Sequence, residues 1–224
     1  MTADIAHELK TPLTVIEGTV DGILDGVFEA SPEHLNSIKD QTAMLTRLIK
    51  DLRDLSLAES GQLKLNLEPL DFAALLRSVV SQYQIKAVEK KINLVMDEQG
   101  SMPEIEADRL RIEQVIANLL TNAIRHTPES GQILVSVKFE GQDILTSIAD
   151  TGEGIDAGDL PHIFERFYRA GDSRARCEGG TGLGLSIVKQ MIEAHGGRVW
   201  AESHTGKGTV FSFSLPAGYA NTRK

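Results

Sequence analysis

The side chains best suited to chemistry in this 224-residue chain fall into two groups, one at the N-terminus and one spread through the second half. The first is His7-Glu8-Leu9-Lys10-Thr11-Pro12. If residues 3–27 form a helix, Ile5, Leu9, Leu13, Ile16, Val20, Ile23, Leu24 and Val27 make one apolar stripe. His7, two residues from both Ile5 and Leu9, then faces away from it into water. An exposed imidazole is more often a solvated side chain than a reactive one. Here, however, Glu8 places a carboxylate beside it to orient or deprotonate the ring, and Thr11 lies one turn on along the same face. Pro12 has no N–H for the Glu8 carbonyl, so the helix is expected to bend at the histidine.

The second group has four parts. Asn118 and Asn122 are four apart, hence on one helix face, with Arg125 and His126 at the helix end. Carboxamide oxygens are hard ligands suited to Mg²⁺ and arginine clamps phosphate, although two buried asparagines that only cap or bridge have the same spacing. Asp150-Thr151-Gly152-Glu153-Gly154-Ile155 sets a carboxylate at a strand end beside two glycines. It can accept the exocyclic amine of adenine while the glycines let a base approach the backbone; a purely structural Asp-x-Gly turn has that form too. Gly179-Gly180-Thr181-Gly182-Leu183-Gly184 opens a helix and offers its N–H groups and positive end to phosphates. It lacks the Gly-Lys-Ser/Thr ending of a P-loop. Phe164-Glu165-Arg166-Phe167-Tyr168-Arg169 leads into a polar run, 170–178, with Arg174 and Arg176, which has the form of a lid with aromatic anchors and cationic arms.

The elements that must carry these groups follow from periodicity. Ser31-Pro32-Glu33 is a helix start. Leu35, Ile38, Thr42, Leu45, Ile49 and Leu52 continue it as a heptad with one polar break, up to Ala58-Glu59-Ser60-Gly61. Two helices with a five-residue connection make an antiparallel hairpin that cannot enclose its own stripe. A homodimeric four-helix bundle is expected, and packing of the hairpin on the rest of the chain is the alternative. Beyond Gly61, alternation at Leu63, Leu65 and Leu67 predicts a strand. Asp71 caps a helix to about Lys90, and strands are expected over 92–97 and 104–107. Asp108 opens a helix to about Arg125. Strands over 132–140 and 143–150, a helix over 181–195, and strands over 198–202 and 208–215 complete the chain. The expectation is a helical hairpin, 1–60, followed by an α/β sandwich, 61–224, with one mixed sheet and helices on one face.

Composition narrows the function. The net charge of −9 argues against broad nucleic-acid or anionic-membrane binding. The single cysteine, Cys177, excludes an internal disulfide and a cysteine-built metal site and fits a reducing cytoplasm. No apolar run approaches the roughly 18 residues that span a bilayer. Because the chain starts six residues before His7, it is expected to be the cytoplasmic part of a longer protein whose sensor or membrane segment lies elsewhere.

His7 to Pro12 resembles the H-box of sensor histidine kinases of two-component systems. The four later parts, in this order, resemble the N, G1, F and G2 boxes of that family's ATP-binding domain. The resemblance spans Ala3 to Leu215. It implies an all-α dimerisation hairpin and a Bergerat-type α/β sandwich, the fold shared with gyrase, mismatch-repair ATPases and the ninety-kilodalton heat-shock chaperone. By the same resemblance, ATP and Mg²⁺ are bound and His7 is autophosphorylated, with Glu8 as base or orienter. The phosphoryl group then passes to an aspartate of a response regulator docked on the hairpin. Asn118 would bind Mg²⁺, Asn122 Mg²⁺ and phosphates, Arg125 phosphate, Asp150 adenine, and Arg169 the terminal phosphates. His126 stands where relatives carry an aromatic residue against the base. Gly152, Gly154, Ile155, Tyr168, Gly180, Thr181, Gly182, Leu183 and Gly184 would complete the nucleotide site. Glu8-x-x-Thr11 resembles the family's phosphatase signature. In the ATP-hydrolysing cousins a Glu lies four residues before the Mg²⁺ asparagine; here that position is Gln114, whose amide is no general base. The resemblance places the chain in the cytoplasm beneath the inner membrane of a bacterium.

Overall fold

The computed structural model describes residues 2–169 and 182–218. Two long helices come first, α1 (Thr2–Leu24) and α2 (Pro32–Glu59), packed side by side. α1 runs unbroken through Pro12, whose side chain is buried. α2 starts where its sequence demands: Ser31 is extended, its hydroxyl accepts the His34 N–H, and Pro32 fills the first turn, where its missing N–H costs nothing.

The second part contains β1 (Glu68–Leu70), α3 (Phe72–Glu89), β2 (Asn93–Gln99), β3 (Ile105–Ala107), α4 (Arg109–His126), β4 (Gln132–Glu140), β5 (Asp143–Asp150), α5 (Gly184–Ala194), β6 (Arg198–His204) and β7 (Gly208–Pro216). Five strands form a mixed sheet in the order β2-β4-β5-β7-β6, with β2 parallel to β4 and every other pair antiparallel. A two-stranded ladder, β1-β3, stands apart. One face of the sheet supplies Ile133, Val135, Val137, Ile144, Ile148, Phe211 and Phe213 to the core, where the apolar faces of α3, α4 and α5 meet it. Strand alternation and helix stripes thus bury against each other in two layers.

Two expectations change. Leu63, Leu65 and Leu67 form no strand: this stretch runs as irregular chain, the Asn66 N–H is taken by the Asp108 carboxylate, and the ladder starts only at Glu68. The last helix begins at Gly184. In α2 the heptad is not the only apolar face. Leu48 and Leu55, seven residues apart and each 1% exposed, lie in the core of the second part, and α2 packs against α5. The heptad residues Leu35 and Ile49 are exposed, as are Leu13, Val20 and Leu24 on α1. The hairpin therefore has one apolar face covered by its own chain and another left open.

Candidate functional site

The site is built on α4, whose N-terminus is fixed from three sides. The Asp108 carboxylate accepts the Arg111 and Asn66 N–H groups, and its own N–H donates to His195 Nε2 at 3.0 Å. His195 Nδ1 donates to the Met191 carbonyl, so the ring is held as one neutral tautomer. Burial pushes its pKa down, against the pull of Met191 and Asp108. One face of α4 then carries Asn118, buried at 7% exposure, and, a turn later, the half-buried Asn122. Arg125 is half-buried and His126 exposed at the helix end.

Asn118 joins distant parts of the chain. Its Nδ2 donates to the Gly184 carbonyl at 3.3 Å, tying α4 to the start of α5. Its Oδ1 accepts from Arg47 Nη2 at 2.8 Å, a contact from α2. A guanidinium has only donors, so the carboxamide oxygen must face it. That oxygen therefore looks toward a position already suited to a cation. Asn118 and Asn122 are chemically fit to hold Mg²⁺ together with nucleotide phosphates, hard neutral oxygens beside anionic ones. Among the described residues no group of three His, Cys, Asp or Glu side chains could hold a metal on its own, so any metal here depends on the ligand's oxygens.

At the end of β5, Asp150 is 7% exposed. Its Oδ1 accepts the Gly152 N–H at 2.8 Å and the Thr209 N–H at 3.3 Å, while Oδ2 has no hydrogen-bond partner among the described residues. Burial raises the carboxyl pKa, and the two backbone N–H groups and His126 counter it. The result is a fixed acceptor with one oxygen available. Gly152 is required by space: a Cβ there would sit 2.4 Å from the His126 carbonyl oxygen and 2.7 Å from Asp150 Oδ1. The His126 ring meets Glu153 Oε1 at 2.9 Å. Beyond Gly154, the Ile155 N–H donates to Ser203 Oγ, and the half-buried Ile155 side chain packs on the core.

The segment ending at Arg169 meets Gly182 directly. Phe167 takes a left-handed conformation, φ 59°, and donates its N–H to the Gly182 carbonyl at 3.0 Å. Such strain in a non-glycine residue concentrates at functional sites. Gly182, φ 66°, would place a Cβ 2.7 Å from Phe167 Cα. Leu183 is buried. Tyr168 donates its hydroxyl to Asp159 Oδ1 at 2.6 Å, which favours the protonated phenol and raises its pKa. Arg169 is half-buried at the edge of the described segment. Gly180, Thr181 and the run with Arg174, Arg176 and Cys177 lie outside the described residues.

The hairpin group is arranged differently. His7 is exposed on α1, and among the described residues its ring makes no hydrogen bond or ion pair. Glu8 is half-buried, and Thr11 Oγ1 donates to the His7 carbonyl at 3.2 Å. No described hydrogen bond joins this group to the α4, β5 and α5 residues.

Sequence reasoning missed the residues that hold these pieces in place. Arg47 and Asp54 lie on the polar part of α2. Asp54 pairs with Arg111, whose Nη2 donates to Asp54 Oδ1 at 3.0 Å and whose Nη1 also donates to Gln114 Oε1 at 3.2 Å. Asp51, 4% exposed, lies beside Arg47; burial raises its pKa most, Arg47 lowers it and Asp54 raises it further. The available signal was the spacing Arg47, Asp51, Asp54, an i, i+4, i+7 row of charges beside Leu48 and Leu55 on a helix whose heptad lay elsewhere. Thr209 and Glu153 carried no signal of their own.

Comparison with known proteins matches both parts. The family described as the histidine kinase-, DNA gyrase B-, and HSP90-like ATPase matches residues 107–219, and the His Kinase A (phospho-acceptor) domain matches residues 1–61. The sensor histidine kinase WalK of Bacillus subtilis (strain 168) is 33% identical over 219 residues. These are 96% of this chain but 36% of WalK, so the chain spans about a third of that relative. The solved structure of the Acinetobacter baumannii histidine kinase AdeS superposes with a TM-score of 0.79 at 32% identity, covering 95% of this chain and 98% of that one. Histidine kinase ThkA, solved in complex with the response regulator protein TrrA, superposes with a TM-score of 0.74 at 28% identity over 97% of this chain and 61% of that one.

Proposed function

This chain belongs to the sensor histidine kinases of two-component systems, as their catalytic core, and we propose that it transfers the γ-phosphoryl group of ATP to His7 and from there to an aspartate of a response regulator. In the first step the neutral imidazole nitrogen of His7 forms an N–P bond as the bond from phosphorus to the ADP oxygen breaks, and ADP leaves with that electron pair. Glu8 takes or orients the proton on the other ring nitrogen. Asp150 Oδ2 receives the adenine amine, Gly152 and Gly154 admit the base, and His126 with Glu153 borders it. Asn118 and Asn122 would hold Mg²⁺, which when bound offsets charge on the phosphates. Arg125 and Arg169 serve the phosphates, with the N–H groups at the start of α5.

The observation that carries this reading against a water-directed ATPase is the pairing of Gln114 with His7. Gln114, one turn before Asn118, is a carboxamide held by Arg111, so nothing at that position can activate water. The same chain displays an exposed nucleophile on α1. The open apolar face of Leu13, Val20, Leu24, Leu35 and Ile49 supports a homodimer through the hairpin, and the regulator complex of ThkA supports a receiver domain as partner. Thr11 is assigned to dephosphorylation of the regulator, its hydroxyl positioning water against the acyl phosphate. No helix among the described residues is long and apolar enough to cross a membrane, and we place the chain on the cytoplasmic side of a bacterial sensor.

The test is incubation with γ-labelled ATP and Mg²⁺ beside His7→Ala, followed by acid and alkali. Label on the parent protein only, lost in acid and kept in alkali, is the expected result. Steady ADP release without label, equal in both proteins, would replace this reading with a conformational ATPase. Thr11→Ala should keep labelling and lose regulator dephosphorylation; equal loss of both would remove Thr11 from that role.

A further inference from the structure

The nucleotide reading does not account for the contact between α2 and the metal-ligand face of α4. Arg47 Nη2 lies 2.8 Å from Asn118 Oδ1, the oxygen assigned above to Mg²⁺. The contact is one arm of two. Two turns nearer the α4 N-terminus and seven residues further along α2, Arg111 grips Asp54 with both terminal guanidinium nitrogens. Next to the arms, Leu48 and Leu55 are buried in the core and Asp51 is buried beside Arg47. The arms differ in how easily they open. The side chains of Asp54 and Arg111 are 6% and 21% exposed, whereas Arg47 keeps 59% of its side chain in water and can swing away at small cost.

Building on that reading, we propose that Arg47 is an autoinhibitory latch. Its guanidinium occupies the cation position at Asn118 Oδ1, so docking of α2 along this edge and loading of the site with Mg²⁺-nucleotide exclude each other. A divalent cation at Asn118 would meet a like charge in direct contact with the same oxygen. Although that oxygen has two lone pairs, the repulsion between two cations a few ångströms apart in a part-buried site opposes holding both. Entry of Mg²⁺ with nucleotide therefore expels Arg47 and loosens the α2 seam. Conversely, anything that presses α2 onto α4 empties the site. Because the seam lies on the helix whose N-terminal end joins α1, rotation or bending of the hairpin reaches the nucleotide site through one side chain. The coupling is reciprocal by thermodynamic necessity.

The test uses the whole chain with the non-hydrolysable analogue AMPPNP, titrated in Mg²⁺ and again in EDTA, for the parent protein, Arg47→Ala and Asp54→Asn. Arg47→Ala should bind Mg²⁺-AMPPNP more tightly, on the order of fivefold or more, with affinity in EDTA unchanged. Asp54→Asn opens the other arm without touching Asn118 and should shift the same way. Hydrogen exchange gives a second readout: amides of residues 44–55 should exchange faster when the parent protein binds Mg²⁺-AMPPNP, and already be fast in Arg47→Ala without ligand. Binding of Mg²⁺-AMPPNP to all three proteins with equal affinity and unchanged exchange in α2 overturns the latch while leaving the nucleotide reading in place. Failure of every protein to bind AMPPNP at any Mg²⁺ concentration removes the nucleotide reading, and the latch with it.

Discussion

The two chemical groups of this chain are built on opposite plans. His7, Glu8 and Thr11 are neighbours in sequence on one turn of an exposed helix, and the imidazole meets no described partner. Asn118, Asp150 and Gly184 come from three elements and are buried or half-buried, with Asn118 and Asp150 held by hydrogen bonds to distant residues. Under the proposed function His7 is offered in turn to a nucleotide and to a receiver domain, and a group used in that way cannot be enclosed by its own fold. A group that must hold one ligand in one pose gains from being fixed beforehand. The hairpin supplies accessibility and the α/β part supplies preorganisation.

This contrast can be broken at its strongest points. Asp150→Asn keeps an oxygen for the Gly152 and Thr209 N–H groups but turns an NH₂ toward the position proposed for the adenine amine. Two donors facing each other should weaken nucleotide binding by about 10- to 100-fold, read by titration, with the fold intact by circular dichroism. His7→Ala should leave that affinity unchanged. A comparable loss in His7→Ala would mean that the two groups are not separable.

The next pair lies on adjacent residues of α2. Leu48 is 1% exposed and Ile49 is 59% exposed. Leu48→Ala should cost about 2–5 kcal/mol in unfolding free energy through the cavity it leaves. Ile49→Asp should cost the protomer much less but shift the chain toward monomer in sedimentation. If Leu48→Ala proves nearly silent, the seam between the hairpin and the α/β part does not form in solution.

Smaller effects probe the preorganised side alone. Gly152→Ala forces a methyl against the His126 carbonyl and should lower stability by about 1–3 kcal/mol, seen as a fall in Tm. The smallest concerns pH. His195 is neutral and buried, with its pKa pushed below 6.5. As pH falls below about 6.5 the unfolded chain takes up a proton that the folded chain resists, so stability is full above that value and is lost below it. His195→Gln should flatten this acid limb of the Tm-against-pH curve; an unchanged limb would assign it to other groups.

Much of the architecture was legible in the sequence. The strands over 132–140 and 143–150 appear as alternation read them, because one face is buried and the other is not, and Ser31, Asp71 and Asp108 cap the helices they announced. The stretch from Leu63 to Leu67 was misread because alternation reports that a segment could pair, not that a partner is available. Here the partner carboxylate, Asp108, lies 42 residues away from Asn66. The second face of α2 was also hidden, since a heptad is visible within one helix, whereas Leu48 and Leu55 acquire meaning only from the core of the second part, where α2 meets α5.

By itself the sequence determined most of the elements and the residue types of both candidate sites, because periodicity, caps and glycine turns act over a few residues. It also determined the solvent exposure of His7, which depends only on the angle between that residue and the apolar stripe of its own helix. Only the tertiary structure decided which atoms those residues face. Asp150 spends one oxygen on Thr209 and keeps the other, Tyr168 turns to Asp159, and Asn118 is held between Gly184 and Arg47. Each of these contacts closes a loop of the chain, and in all but the Tyr168 pair the loop is longer than 55 residues. No local preference encodes such a closure; it exists because burying the core brings those segments together and their polar groups must then find partners.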